Sequence, residues 1–204
     1  MIAVVDYGMG NLRSVEKALN RIGCNAKITS DKDEILNADK LIMPGVGHFR
    51  KGMENLNKMD LMDPLNKAVN EKKIPFLGIC LGMQLMTNFS EEGNCRGLGW
   101  IDTEVSKFKF EKESGLKVPH IGWNTVKIIR ESIFFTAADL GHEYYFVHSY
   151  YIGNSGNADS IGTTFYGLEF VSCFQKGNIY GVQFHPEKSL KSGLSLIMNF
   201  IQKS

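Results

Sequence analysis

The chain has 204 residues, 43% hydrophobic and 22% charged, with a formal net charge of +1. This is an ordinary globular composition, long enough for a substantial core and too near neutrality to call for nucleic acid or an anionic membrane as a partner. The opening MIAVVDYGMG lacks the basic start of a secretion signal, and the longest apolar run, near 74–83, is too short to cross a bilayer.

The first half alternates between two patterns. IAVV at 2–5 is a short continuous apolar run, as in a strand buried on both faces. Leu12, Val15, Leu19 and Ile22 then form one helical stripe, with Gly23 as its stop. NAKIT predicts a second strand and KLIMP (40–44) a third. Phe49, Met53 and Leu56 predict a helix, and Leu61, Leu65, Ala68 and Val69 another, with Pro64 near its start. IPFLGI (74–79) predicts the next strand. Strands alternating with helices imply parallel β-α-β units with helices on both faces of the sheet.

The second half is β-rich. WIDTEVSKF, NTVKII, EYYFVHSYY, LEFVSCFQ and NIYGVQF read as strands joined by Gly- and Asn-containing turns, expected as antiparallel additions to the same sheet. Residues 107–117, rich in charge, predict an exposed hairpin or loop. Leu194, Ile197, Met198 and Ile201 predict a closing helix. With no internal repeat or linker, one α/β domain over residues 1–204 is expected: a mostly parallel mixed sheet with helices on both faces and antiparallel additions in the C-terminal half.

The four cysteines, Cys24, Cys80, Cys95 and Cys173, have no paired spacing, and the five histidines do not group with them. Reduced thiols in a cytoplasmic protein, with no structural zinc, are expected. Cys80 stands out. GICLGMQ (78–84) places it between Gly78 and Gly82, after a buried strand and before a predicted helix. A G-x-C-x-G turn here is the cysteine counterpart of a nucleophile elbow, which needs small flanking residues. In that geometry the sulfur stands at the carboxyl end of the sheet, and the Leu81 amide points to where an oxyanion would form. Gln84, four residues on, shares the helix face of Cys80. Taken alone, the motif favours a buried thiol at a tight junction over a nucleophile, since free cysteines are among the most buried residues.

A nucleophile needs a base. In GVQFHPEKS, Pro186 biases His185 toward extended backbone, so that His185 and Glu187 project together. A carboxylate there can fix the imidazole tautomer, which is the local half of a Cys-His-Glu triad; a solvent-exposed His-x-Glu at a strand end is the other reading. PGVGHF (44–49) lies between a strand and a helix. Gly45, Val46 and Gly47 can turn backbone amides into a cleft as a second oxyanion donor. GMGNLR (8–13) and GVGHFR (45–50) each carry two glycines of a phosphate-binding fingerprint, with arginine at the third, and either is equally a tight β-α turn. His48 falls at a helix start and His142 in a turn; His120 and His148 are read as structural.

With these pieces in view, the sequence resembles the class I (triad) glutamine amidotransferases, with a flavodoxin-like fold. Within them it is most similar to the family of glutaminase subunits of imidazole glycerol phosphate synthase. VDYGMGNLRSV, MPGVGHF, GICLGMQLM, PHIGWN, YYFVHSYY and GVQFHPEKS carry that resemblance, in order, from residue 4 to 189. It implies L-glutamine as substrate, with Cys80 as nucleophile, His185 as proton shuttle and Glu187 as its orienting carboxylate. It implies Gly47, Gln84 and the backbone around Ser149 as the glutamine-binding residues, with Leu81 and the 45–47 loop as oxyanion donors. It further implies a heterodimer with a (β/α)8-barrel cyclase, docking near Asn11, Trp123 and Lys188, which receives the ammonia for a step of histidine biosynthesis. Ordinary packing for Trp123 and a solvated charge for Lys188 are the alternatives. The resemblance also implies an oxyanion loop, with Val46 and Gly47 moving, that aligns only when the partner carries its ligand. Related amidotransferases that feed amidation of surface sugars would carry the same catalytic motifs, and 166–184 departs from the most typical histidine-pathway pattern. A non-catalytic subunit on this fold is a third reading, which the full set of triad residue types opposes.

Overall fold

The computed structural model describes residues 1–135, 141–153 and 159–204. Six helices are labelled in chain order: α1 Leu12–Arg21, α2 Lys32–Leu36, α3 Phe49–Lys58, α4 Met62–Asn66, α5 Leu81–Leu85 and α6 Leu190–Lys203. The strands of the first half are β1 Ile2–Val5, β2 Ala26–Thr29, β3 Lys40–Gly45, β4 Phe76–Cys80, β5 Thr87–Ser90, β6 Cys95–Arg96 and β7 Ile101–Lys107. Those of the second are β8 His120–Thr125, β9 Lys127–Ile128, β10 Glu143–His148, β11 Tyr150–Gly153, β12 Ser160–Tyr166, β13 Leu168–Lys176 and β14 Ile179–Val182.

Among the described residues, twelve strands form one sheet along the order β2-β1-β3-β4-β14-β13-β11-β7-β5-β6, with β12 on β13 and β9 on β12. From β2 to β14 the pairs are parallel, and β14–β13, β13–β11 and β11–β7 are antiparallel. This is the expected mixed sheet. Alternation along the parallel strands splits the core in two. Val5, Met43 and Phe76 pack with Ile35 of α2, Leu56 of α3 and Leu65 of α4. Val4, Ile42 and Leu77 pack on the other face with Leu19 of α1 and Ile197 and Phe200 of α6. Strands buried on both faces need continuous apolar runs, which is why these strands were legible in the sequence.

Several elements depart from expectation. The stripe from Leu61 to Val69 is not one α-helix: α4 runs into a π-helical turn, Lys67–Glu71, that buries both Ala68 and Val69. The side-chain amide of Asn178 donates to the Val69 carbonyl within the turn and to the Ile74 carbonyl beyond it. NTVKII is not one strand, because the chain leaves β8 at Val126, a buried residue, and only Lys127–Ile128 joins β12. EYYFVHSYY also breaks, at Ser149, so β10 pairs with β8 in a separate antiparallel ribbon while β11 enters the large sheet. The C-terminal half therefore adds a ribbon as well as strands to the sheet. Residues 107–117 do form a loop with one 3-10 turn, but Phe108 is buried, stacked on Tyr151. Helix α2 and strands β5, β6 and β12 have no counterpart in the pattern reading. No helix among the described residues is long and apolar enough to cross a membrane.

Candidate active site

Strands β4 and β14 are parallel neighbours, with Val182 opposite Ile79. Their carboxyl ends therefore lie side by side, and the residues just beyond each end meet, although far apart in sequence. Cys80 ends β4 and begins α5 with φ 54° and ψ −109°. A non-glycine residue in that region is strained, as an elbow nucleophile is. The strain sits on the cysteine, since Gly78 and Gly82 keep ordinary φ. The two glycines answer a different need. A Cβ on Gly82 would collide with the Met43 carbonyl of β3, and one on Gly78 would lie 2.7 Å from the Gly82 carbonyl. Close packing of α5 onto β3 and β4 excludes any side chain there.

His185 follows β14 in extended conformation, and its Nδ1 is 2.8 Å from Glu187 Oε1. The pair forms as expected, but by another route: Pro186–Lys188 is a 3-10 turn, so Glu187 comes back to the imidazole through a turn and not through strand alternation. The backbone of His185 is tied to β10, donating from its N–H to the Tyr145 carbonyl, and its own carbonyl accepts from Ser189 Oγ. Both side chains are buried, at 2% and 1% exposure. Burial disfavours an imidazolium, but the charge of the neighbouring Cys80 sulfur and the hydrogen-bonded Glu187 carboxylate outweigh burial and push His185 up to about 10. Nε2, the nitrogen left free by Glu187, makes no hydrogen bond of good geometry, yet faces the sulfur closely enough to interact with it.

Cys80 opens onto a cavity of about 410 Å³ lined by Val46, Gly47, Leu81, Gln84, Ser149 and Lys188, among others. Gly47 has φ +111°, a conformation natural only to glycine, and Val46 beside it is 41% exposed. Gly45 sits deeper. It pairs in register with Cys80 at the end of β3, and a Cβ on it would collide with the Tyr7 hydroxyl. It lets β3 and α5 pack, while Val46 and Gly47 reach the cavity.

The phosphate reading of the two glycine loops finds no support in the geometry. The Phe49 amide at the start of α3 donates to Glu92 Oε2, and the Gly8 amide to Asp6 Oδ1, so the chain's own carboxylates already occupy both places. His48 is the N-cap of α3, as expected. His120 and His148 are buried and bonded to each other, Nδ1 to Nε2 at 3.0 Å. Asn11 is the exposed N-cap of α1, which packs on the 186–188 turn. Trp123 is 45% exposed and meets Tyr145 edge-on, and Lys188 Nζ lies 5.9 Å over the same Tyr145 ring. Trp123, Tyr145 and Lys188 thus make one surface cluster beside the cavity mouth.

Pattern reading missed two residues. Glu92, in a turn of unremarkable sequence, places a carboxylate at the cavity. Gln183 is fully buried, and its Nε2 lies 3.6 Å from Cys80 Sγ. A signal for Gln183 existed: it stands two residues before His185 and so shares its face.

A cysteine on a strained strand-to-helix turn stands beside a buried His-Glu pair and opens onto a cavity: this arrangement can carry out acyl transfer through a thioester. The family description "Glutamine amidotransferase class-I" matches residues 3–203. The chain belongs to this family. Among curated amidotransferases of the family, "Imidazole glycerol phosphate synthase subunit HisH 2" of Methanococcus maripaludis is 48% identical over 204 residues, all of both chains. The HisH subunit of Moorella thermoacetica is 47% identical over 98% of this chain and 93% of its own. HisH 2 of Pseudomonas aeruginosa is 43% identical over 99% of both. The chain is thus a member of the HisH group of class-I amidotransferases. Solved structures share the fold at low identity. A glutamine amidotransferase superposes with TM-score 0.76 at 19% identity, over 98% of this chain and 97% of its own. PurLQS of Thermotoga maritima gives 0.73 at 16%, over 98% and 96%.

Proposed function

We propose that this chain is the glutaminase subunit of an imidazole glycerol phosphate synthase, a cytoplasmic partner of a (β/α)8-barrel cyclase. The Cys80 thiolate attacks the side-chain carbonyl carbon of L-glutamine. The oxyanion is received by the Leu81 amide and an amide of the 45–47 loop, once that loop aligns. His185, held by Glu187, gives its Nε2 proton to the leaving nitrogen, and ammonia departs. His185 then takes a proton from water, which opens the thioester and releases glutamate. Gly47, Gln84 and Ser149 border the cavity where glutamine would sit, and Glu92 suits its α-ammonium. The ammonia passes to the cyclase docked over Asn11, Trp123 and Lys188. There it serves formation of imidazole glycerol phosphate and aminoimidazole carboxamide ribotide.

The observation that carries this reading is the meeting of Cys80 with the His185–Glu187 pair at the end of two adjacent parallel strands. Full-length similarity to proteins named as synthase subunits supports the pathway. In the complex, Cys80→Ala is expected to abolish glutamine-dependent synthesis while synthesis from added ammonium persists. Unchanged glutamine hydrolysis in that variant would rule the mechanism out. A second reading is a paralogous subunit that supplies ammonia for amidation of a surface sugar; the observation behind it is that Methanococcus maripaludis holds two such subunits, 48% and 47% identical to this chain. Complementation of a histidine auxotroph by this chain, expressed with its barrel partner, is the expected result. Failure despite good expression would favour the separate role.

A further inference from the structure

Behind the nucleophile lies a buried polar chain that the triad does not use. The Tyr150 carbonyl accepts from His148 Nδ1 at 2.8 Å and from Gln84 Nε2 at 3.0 Å. Gln84 Nε2 also donates to Gln183 Oε1 at 2.9 Å, and Gln183 Nε2 lies 3.6 Å from Cys80 Sγ. Gln84 and Gln183 are 4% and 0% exposed.

The chain has a fixed polarity. A carbonyl oxygen can only accept, so the Gln84 group facing Tyr150 must be its NH2. That NH2 spends its second hydrogen on Gln183, which must therefore turn its oxygen toward Gln84. The Gln183 NH2 is then left facing the sulfur. Reversing Gln183 would set two donors against each other in a buried place. A backbone carbonyl in β11 thus dictates, through two side chains, that Cys80 meets a hydrogen-bond donor from within the core. Of the sulfur's other polar neighbours, His185 Nε2 faces it from the triad side, and the Val147 carbonyl at 3.8 Å can accept only from a thiol. A thiolate keeps the Gln183 bond and gives up the Val147 one.

We propose that Gln183 is a positioning residue for the nucleophile, holding the Cys80 sulfur as thiolate through an N–H···S bond whose direction is set by the Tyr150 carbonyl and relayed by Gln84. It rests on the assignment of Cys80 as nucleophile. It gives Gln84 a second duty beside the glutamine cavity. Because the Gln84 NH2 is fully engaged, Gln84 presents only its oxygen to a ligand.

The test is alkylation of Cys80 by iodoacetamide in the full chain, quantified on the Cys80 peptide from pH 5 to 9. Gln183→Met keeps the volume and removes both bonds. Loss of a hydrogen bond to a charged group predicts a labelling rate about tenfold lower at pH 7, with the pH profile displaced upward by about one unit. Gln183→Glu, once ionised, still accepts from Gln84 but has no hydrogen for the sulfur, and should label more slowly again at the upper end of that pH range. A folded Gln183→Met chain whose profile superimposes on that of the unaltered protein overturns the proposal. Should Gln183→Met not melt cooperatively, Gln84→Glu takes its place. Its carboxylate leaves Gln183 without the donor that orients it, so slower labelling is expected and an unchanged rate overturns the proposal. The two assignments fail separately. Glutamine hydrolysis surviving in Cys80→Ser would remove the nucleophile itself, whereas an inactive Cys80→Ser beside an unaltered Gln183→Met profile would remove only the role of Gln183.

Discussion

Cys80 holds φ 54° because its neighbours leave it no alternative. The β4 strand must stop and α5 must start within one residue, and β3 lies so close that Gly82 touches its backbone. A non-glycine residue in this sparsely populated region costs on the order of 1–3 kcal/mol, which the buried apolar residues around it offset. Gly82 is therefore the sharpest point at which to test the elbow. Gly82→Ala would drive a methyl into the Met43 carbonyl, and neither backbone can yield without moving Cys80. We expect destabilisation of about 1–3 kcal/mol in urea denaturation, together with slower alkylation of Cys80. If stability and reactivity both stay unchanged, the close approach is not what fixes the elbow. Gly45 across the same contact faces the Tyr7 hydroxyl, a buried group without a hydrogen-bond partner. Burial, and after it the nearby Cys80 charge, raises Tyr7 far above its usual range, so it stays a neutral phenol.

Elements follow the same logic one level up. Helix α2 has five residues and buries Ile35, so its capping matters more than in a long helix. Asp31 accepts from both the Asp33 and Glu34 amides at 2.9 Å. Asp31→Ala is expected to lower stability by about 1 kcal/mol in chemical denaturation, with Asp31→Asn near neutral. A loss of similar size in Asp31→Asn would point to charge instead of the cap. This cap was visible in the sequence as an Asp three residues before a Glu, ahead of Ile35, but the helix is too short for a periodic stripe to reveal it. Elements read correctly, among them β1, β3, β4, α1, α3 and α6, have a period imposed by burial. The ribbon β8–β10 was not separable from the sheet, because each of its strands shows the same alternation as a half-buried sheet strand: His120, Tyr144, Phe146 and His148 face inward, and Ile121 and Trp123 outward. Alternation reports which side is buried, not which sheet the strand joins. The pairing of His185 with Glu187 was legible, but the turn that makes it was not, since Pro186 suits the first position of a 3-10 turn as well as an extended segment. The loop at Gly45–Gly47 gave its glycines away, but not that Gly45 serves packing while Gly47 reaches the cavity.

For the molecule as a whole, the site exists because β14, last in sequence among the described strands, inserts beside β4 in the middle of the sheet. The same arrangement buries a pair of histidines, His120 and His148, next to the His185–Glu187 pair. His148 donates from Nδ1 to the Tyr150 carbonyl, so its Nε2 must accept from His120 Nδ1, and His120 Nε2 in turn accepts from Asn124 at 3.3 Å. The His120–His148 and Asn124–His120 links each require an unprotonated Nε2 as acceptor, and so neutral rings. Burial lowers His120 to about 4; burial, followed by the neighbouring His120 and His185 charges, lowers His148 to about 3. Both folded values lie below the value of about 6.5 for an unfolded histidine. Between pH 6.5 and 4 the unfolded chain therefore binds protons that the folded chain refuses. The stability contributed by the neutral pair is complete above pH 6.5 and is lost as the pH falls. His148 alone predicts a decline approaching ~1.4 kcal/mol per pH unit below pH 6, with a smaller, solvent-screened addition from His120. Urea denaturation at pH 6.5, 5.5 and 4.5 reads this slope directly. In His148→Asn an amide can still donate to the Tyr150 carbonyl without binding a proton, so the slope should flatten by about one proton's worth, ~1.4 kcal/mol per pH unit. An unaltered slope in that variant would place the acid sensitivity elsewhere in the molecule.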